Sequence, residues 1–159
     1  MAGRLLLIGA TLLSGLLAGA TLDRLVVQMP AWRRVGSRPW AAYSRHADLG
    51  NGLLLYPVEA IGGAIFSIAA AIACHRDAAV PRSAEAALWV AVAAALGGLL
   101  ATTQAAPRML GLRKLGDDPV ALQRAFEGFD RWGAVRGALQ MLVFLSNLWA
   151  VAGILRSRA

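Results

Sequence analysis

Four long apolar segments, separated by more polar ones, run along this chain at about residues 5–29, 49–74, 84–106 and 133–155. A helix needs about 20 mainly apolar residues to cross a hydrocarbon core of about 30 Å, and each segment meets that length. The first segment also has features of a signal peptide, but its apolar stretch exceeds a typical signal core, so we interpret it as an uncleaved span. We therefore predict one all-α domain over residues 1–159, an integral membrane four-helix bundle.

The connections between the predicted spans are unequal in length. Residues 75–83 form a short link, whereas the first loop (30–48) and the third loop (107–132) are long enough to contain helices of their own. Both long loops lie on the same side of the membrane because consecutive spans alternate in direction. We predict short interfacial helices in both loops, and the one in the third loop begins at Pro119, directly after Asp118.

Polar residues within the spans concentrate at one end of the predicted bundle. They occupy the end of the first span, the start of the second, the end of the third and the start of the fourth, which all meet in one half of the membrane. The opposite half is almost purely aliphatic, with Asn147 as its main exception. The polar group consists of Thr21, Asp23, Arg24, Gln28, Asp48, Asn51, Tyr56, Glu59, Thr102, Thr103, Gln104, Arg136 and Gln140. This asymmetry predicts a polar pocket under the two long loops.

Helical spacing places several of these polar residues on common faces. Asp48, Tyr56 and Glu59 share one face of the second span, and Arg136 and Gln140 share one face of the fourth. At 1.5 Å per residue, Glu59 lies about 15 Å below the start of its span, where a carboxyl group is neutral or paired. Arg136 has the reach to meet Glu59 or an anionic ligand. Two interpretations follow, namely an ion pair that fixes helix register and a half-buried ligand pocket.

Composition and charge agree with a membrane protein and exclude several other classes. Hydrophobic residues make up 58% of the chain, and 16 basic residues outnumber 9 acidic ones. The basic residues flank the spans, where lipid phosphates lie, so we predict a lipid bilayer as partner and no nucleic acid. Cys74 is the only cysteine, which excludes an intramolecular disulfide. His46 and His75 lie near opposite ends of one span and cannot jointly ligate haem. We expect neither a metal site nor a cofactor.

Two short motifs connect the chain to a known family. Residues 45–52 read RHADLGNG and lead to Tyr56 and Pro57, and residues 131–136 read RWGAVR at the start of the last span, while Pro107 closes the third. In these motifs and in its span layout, the chain resembles the anthrone oxygenase-like proteins, a family of small four-span membrane proteins. The resemblance implies a cofactor-independent oxygenase that converts a tricyclic anthrone into an anthraquinone with molecular oxygen. It also implies a multi-pass protein of the bacterial inner membrane.

The implied reaction assigns roles to several of the polar residues. An anthrone must lose an acidic C–H proton to a base, and its enolate needs a cation in a dry apolar pocket. Arg136 is the predicted partner of the enolate oxygen, and His46 or Asp48 is the predicted base. Tyr56 and Gln104 are predicted hydrogen-bond donors to the oxygens of this lipophilic aromatic ligand. The remaining predicted ligand-binding residues are Glu59, Trp132 and Gln140.

A second interpretation is a non-catalytic membrane protein, either an accessory subunit or a small carrier of a lipophilic compound. A carrier opens in turn to both sides of the membrane. The aliphatic half of the bundle around Asn147 offers such a carrier almost no polar lining. The sequence leaves the choice between catalysis and binding open, together with the oligomeric state and the orientation in the membrane.

Overall fold

The apolar segments form long helices in the structure, a computed structural model that describes residues 2–157. Its helices are α1 (Ala2–Asp23), α2 (Met29–Val35), α3 (Ser37–His46), α4 (Gly52–His75), α5 (Arg82–Leu110) and α6 (Pro119–Arg156). The π-helical turns Arg24–Gln28 and Ala47–Asn51 lead into α2 and α4, and the 3-10 turn Gly111–Arg113 follows α5. The described residues contain no strand, which confirms the predicted all-α class. Residues 1, 158 and 159 of the predicted domain lie outside the described range.

Four continuous helical stretches are long and apolar enough to cross a membrane, namely Gly3–Val35, Ser37–His75, Arg82–Arg113 and Pro119–Arg156. Large aliphatic side chains cover much of their outer surface: Leu12 is 63% exposed, Leu54 74% and Leu100 69%. In water, a continuous apolar surface of this kind would promote aggregation, whereas in a bilayer it contacts lipid tails. The chain is therefore a multi-pass integral membrane protein, as the hydropathy predicts.

The four long helices form a closed ring, in which α1 and α5 each pack against both α4 and α6. Small residues allow this packing at the end away from the long loops, where Ala70 is fully buried beside Leu88. Near the middle of the bundle, the Asn147 amide donates hydrogen bonds of 3.3 Å to the hydroxyl oxygens of Ser14 and Ser67. One polar cluster and many small contacts therefore hold this half of the bundle together.

The two long loops fold over the other end of the bundle and form what we call the roof: α2, α3, the turn Gly111–Arg113 and the first turns of α6. The core of the roof is aromatic, and the ring centroids of Trp32 and Phe126 are 5.4 Å apart. Arg45 of α3 donates a hydrogen bond of 3.2 Å to the carbonyl oxygen of Leu112, which ties the first loop to the third. The predicted short helices of the first loop are confirmed as α2 and α3.

Two predicted features of the third loop and its borders differ from the structure. The helix begins at Pro119 as predicted, and the Asp118 carboxylate accepts a hydrogen bond of 3.0 Å from the Val120 amide. It is not a separate short interfacial helix, however, because no proline follows in α6 and the helix runs for 38 residues into the fourth span. Pro107 does not end the third span. An internal proline removes one donor and bends a helix, and α5 continues to Leu110.

Gly137 allows a close approach of α6 to α1. A Cβ atom at Gly137 would lie 2.8 Å from both Thr21 Cγ2 and Leu25 Cδ1. We expect Gly137→Ala to lower the free energy of unfolding by about 1–3 kcal/mol through overpacking, since a hydrogen bond to Gln140 restrains Thr21. The matched control is Gly19→Ala, where nothing lies within 4 Å of the added carbon and the change should be neutral or stabilising. Equal melting temperatures of the two variants in detergent would contradict this packing.

The topology predicts which surface positions share a side of the membrane. Arg34 and Lys114 lie at the roof end, whereas Ser83 and Ser157 lie at the opposite end of the bundle. In a Cys74→Ser background, Arg34→Cys and Lys114→Cys should react with an impermeant maleimide from one side of the membrane. Ser83→Cys and Ser157→Cys should react only from the other side. If a cysteine of the first pair and a cysteine of the second pair react from the same side of the membrane, the four-span topology is wrong.

Candidate functional site

A cavity of about 380 Å³ lies directly beneath the roof and is bounded by all four long helices. Its volume falls within the range of about 300–1,000 Å³ that is typical of small-molecule sites. Most of its wall is aliphatic. Its polar and aromatic lining residues are Thr21, Arg24, Asp48, Tyr56, Thr102, Phe129, Arg136 and Gln140. Many of the polar residues that the sequence places at one end of the bundle therefore surround a common cavity.

The cavity opens between α4 and α5. Leu53 and Ile61 of α4 and Leu110 of α5 line it from exposed positions, whereas Leu17 and Thr21 of α1 line it from buried ones. The outer surfaces of α4 and α5 are apolar and face lipid in a membrane. An apolar molecule dissolved in the bilayer can therefore reach the cavity without passing through water.

Two irregular turns hold a buried ion pair in the cavity wall. Arg24 lies in the π turn after α1, and Asp48 lies in the π turn before α4; such turns often occur at functional sites. Arg24 Nη1 donates to Asp48 Oδ1 at 2.6 Å, and Nη2 donates to Oδ2 at 3.0 Å. The two side chains are only 11% and 8% exposed, so the pair is both buried and bidentate. Asp48, a predicted base, thus has both carboxylate oxygens engaged.

Arg136 is the second cation of the cavity. Among residues 2–157, no carboxylate oxygen lies within 4.0 Å of its guanidinium nitrogens, and its buried Nε atom lacks a hydrogen-bond partner there. The guanidinium carbon of Arg136 lies 5.4 Å from the ring centroid of Phe129, and that of Arg24 lies 4.7 Å from it. Both distances suit cation–π contacts. Because Asp48 neutralises Arg24, the lining of the cavity has one excess positive charge, on Arg136.

The predicted ion pair between Glu59 and Arg136 is not formed within the described residues. Glu59 is 7% exposed and lines a second, smaller cavity of about 30 Å³ that lies deeper in the membrane. Its Oε2 atom has no hydrogen-bond partner in residues 2–157. The predicted pairing is wrong because the two side chains line different cavities, and the guanidinium of Arg136 lies against the Phe129 ring at the roof end of α6.

Gln140 and Tyr56 supply neutral polar groups to the cavity. Thr21 Oγ1 donates a hydrogen bond of 2.5 Å to Gln140 Oε1, so the amide NH₂ group of Gln140 can donate to a ligand. Tyr56 lines the cavity from α4. Gly52 leaves room for this ring, because a Cβ atom at Gly52 would lie 2.9 Å from Tyr56 Cε2.

Besides Glu59, three predicted site residues lie outside the cavity. His46 is exposed at the end of α3, Gln104 is exposed on α5, and Trp132 packs against the aromatic core of the roof. The sequence interpretation did not identify Phe129 as a residue of the cavity. The spacing of seven residues between Phe129 and Arg136 places both on one face of α6, and this was the signal that could have identified the aromatic residue.

The buried pair of Arg24 and Asp48 should be far more costly to break than an exposed pair. Arg24→Gln or Asp48→Asn alone leaves one charge without its partner, and we expect each change to lower the free energy of unfolding by about 3–5 kcal/mol. The double variant should lose less than the sum of the two. The control is the exposed pair of Arg33 and Asp130, 2.8 Å apart, whose coupling should be about 0–1 kcal/mol. Additive losses at Arg24 and Asp48, measured by unfolding in detergent, would contradict the coupling.

The site thus combines an apolar cavity, open to the bilayer, with one excess cation and several neutral hydrogen-bond donors. Within residues 2–157, no three His, Cys, Asp or Glu side chains lie close enough together to hold a metal ion. No protein-family model matches the chain, and no curated protein or solved structure matches it either.

Proposed function

We propose that the protein binds a lipophilic aromatic molecule, bearing at least one anionic or strongly polar oxygen, in the cavity beneath the roof. The observation that supports this proposal most directly is the excess positive charge of Arg136 in a mostly aliphatic cavity that opens to lipid. A buried charge costs several kcal/mol unless it is paired, so a purely structural bundle gains little from it. A binding site for an anionic group does gain from it, because the ligand supplies the opposite charge.

The cavity lining favours a flat ring system that bears oxygen atoms. Phe129 and Tyr56 offer aromatic rings for stacking or edge contacts, and the aliphatic residues of α4 and α5 suit a hydrocarbon skeleton. Arg136 and the Gln140 amide are hydrogen-bond donors on one face of α6, and the Tyr56 hydroxyl is a donor on α4. Anthrones and anthraquinones combine an apolar tricycle with carbonyl and phenolic oxygens, and they match this arrangement.

We further propose an anthrone oxygenase-like reaction, in keeping with the resemblance of the two sequence motifs. Loss of a C–H proton converts an anthrone into its enolate, and Arg136 stabilises the negative oxygen. The carbanion carbon then forms a bond to molecular oxygen, and the resulting peroxide takes up the proton. Loss of water from this hydroperoxide leaves the second carbonyl group of the anthraquinone. The sum is one anthrone and one oxygen molecule giving one anthraquinone and one water.

The surroundings of Asp48 and His46, the two predicted bases, bear on which group removes the C–H proton. The Asp48 carboxylate is held by two hydrogen bonds from Arg24, and His46 is exposed outside the cavity. Their catalytic roles stay predictions, and each requires a rearrangement that brings the group to a ligand beside Arg136. Glu59 is the other carboxyl group near the cavity.

A non-catalytic binding protein is the alternative function. The half of the bundle away from the roof is filled by small residues and by the hydrogen bonds of Asn147, which favours access from one side over transport across the membrane. An accessory subunit would retain the ligand site without turnover. The location that we propose, from the resemblance, is the bacterial plasma membrane.

Arg136→Leu tests the proposed site because leucine keeps apolar bulk and removes the charge. A hydrogen bond to a charged group contributes about 1.5–3 kcal/mol. We therefore expect the variant to bind a hydroxyanthraquinone about 10- to 100-fold more weakly than the wild type, as measured by quenching of tryptophan fluorescence in detergent. The matched control is Arg131→Leu, which changes an exposed arginine on the same helix and should leave the Kd unchanged.

The same variants separate binding from catalysis when anthrone oxidation in membranes is compared with the spontaneous rate. Turnover that is lost with Arg136→Leu and kept with Arg131→Leu supports the oxygenase. Binding by the wild type without turnover supports the non-catalytic alternative. If folded Arg136→Leu binds as tightly as the wild type, the proposed site is wrong.

A further inference from the structure

Glu59 lines a small chamber next to the ligand cavity. The chamber lies among α1, α4, α5 and α6. Its volume of about 30 Å³ is enough for one or two water molecules. The side chain is almost fully buried, and its Oε2 atom lacks a hydrogen-bond partner in the described part of the chain. A buried carboxyl group of this kind either holds a proton or compensates a positive charge nearby.

The chamber and the ligand cavity share part of their walls. Thr102 and Gln140 line both spaces, and Gln140 lies one helical turn from Arg136 on α6. Thr21 holds the amide oxygen of Gln140, which leaves the amide NH₂ group to donate to water on either side. The Thr102 hydroxyl donates a hydrogen bond of 2.9 Å to the carbonyl oxygen of Gly98, so its oxygen is an acceptor on this wall. Only the shared wall therefore separates Glu59 from a ligand beside Arg136, a short distance that water can bridge.

The charges that face this route are few. The other residues lining the chamber, on α1, α5 and α6, include no titratable group among the described residues. The nearest charged or titratable groups line the ligand cavity and belong to Arg24, Asp48, Tyr56 and Arg136. Arg24 and Asp48 neutralise each other, and an ordinary tyrosine is neutral near pH 7. One positive charge, on Arg136, and one carboxyl group, that of Glu59, therefore remain in two neighbouring spaces that share part of their walls.

We propose that the Glu59 carboxylate neutralises Arg136 when the cavity is empty and that the ligand does so when an anion is bound. An anionic ligand therefore binds together with one proton. Without ligand, the Glu59 carboxylate is ionised and balances the charge of Arg136 across the shared wall, without a direct ion pair. When an anion binds beside Arg136, the carboxylate no longer has a compensating charge in an interior of low dielectric constant, and it takes up a proton. This inference rests on the proposed ligand site and adds a proton-exchanging residue to it.

The source of the proton depends on the ligand. A permanently charged anion draws the proton from bulk water. An anthrone that arrives as a neutral molecule passes its own C–H proton to Glu59 through the shared wall, so that the enolate forms beside Arg136 and the carboxyl group becomes neutral. The number of protons and the total charge of the interior stay the same in this step. Glu59 is then the proton acceptor that the proposed oxidation needs.

Anthraquinone-2-sulfonate is a suitable probe because it stays anionic at every working pH. Calorimetric titration of the full chain in detergent, in buffers with different ionisation enthalpies, counts the protons taken up per bound probe. For the wild type we expect uptake of up to about one proton, and a Kd that rises up to about tenfold per pH unit because higher pH opposes proton uptake. Glu59→Gln should bind the probe without proton uptake and with a Kd independent of pH. Glu127→Gln, at an exposed position of α6, should behave as the wild type.

Infrared spectroscopy tests the charge balance without any ligand. A protonated Glu59 has a carboxyl C=O absorption band, and spectra of Glu59→Gln identify this band by its loss. We expect the band to be missing from the ligand-free wild type, where the carboxylate balances Arg136. The band should be present in ligand-free Arg136→Leu, where the positive charge has been removed.

The two measurements separate this inference from the proposed function. Equal proton uptake by the wild type and Glu59→Gln, including no uptake by either, overturns the inference. If the probe does not bind, the proposed function fails, and the infrared comparison decides on Glu59. A protonated band in the ligand-free wild type overturns the proton exchange, and a band that is found only in Arg136→Leu supports it.

Discussion

The buried ion pair between Arg24 and Asp48 is the interaction on which the rest of the molecule depends. It joins the end of the first span to the start of the second, and it fixes the two π turns through which the chain enters and leaves the roof. Removal of either partner would leave an uncompensated charge within the bundle. The same region binds the third loop, because Arg113 donates a hydrogen bond of 2.7 Å to the carbonyl oxygen of Leu49. One pair of charges therefore positions both halves of the roof.

The ion pair also determines the electrostatics of the cavity. Two arginines, Arg24 and Arg136, contact the Phe129 ring, and Asp48 neutralises only the first of them. At the opposite end of the bundle, small residues such as Ala70 bring the helices into direct contact. At the roof end, larger polar and aromatic side chains line an open space, and that space has a positive charge. This difference between the two halves is the physical basis for the ligand site that we propose at one end of the bundle.

Much of the architecture could be predicted from the sequence because a bilayer imposes its constraints locally. Each span must be apolar over a fixed length, so hydropathy alone determined the number of membrane helices and their approximate bounds. Alternating span directions then brought the polar ends together, and helical spacing correctly grouped Arg136 with Gln140. Gln104 and Trp132 were wrongly expected at the cavity, because membrane depth alone does not say which way a helix face points.

The sequence by itself therefore determined the all-α class, the four spans, the common side of the two long loops and the end of the bundle that holds the polar residues. Only the tertiary structure decided the charge pairing: Asp48 with Arg24, and Glu59 apart from Arg136. The physical reason is distance. An ion pair or a cation–π contact needs side chains of different helices to meet within a few ångströms, and the rotation and offset of one helix against another are set by packing of the whole bundle.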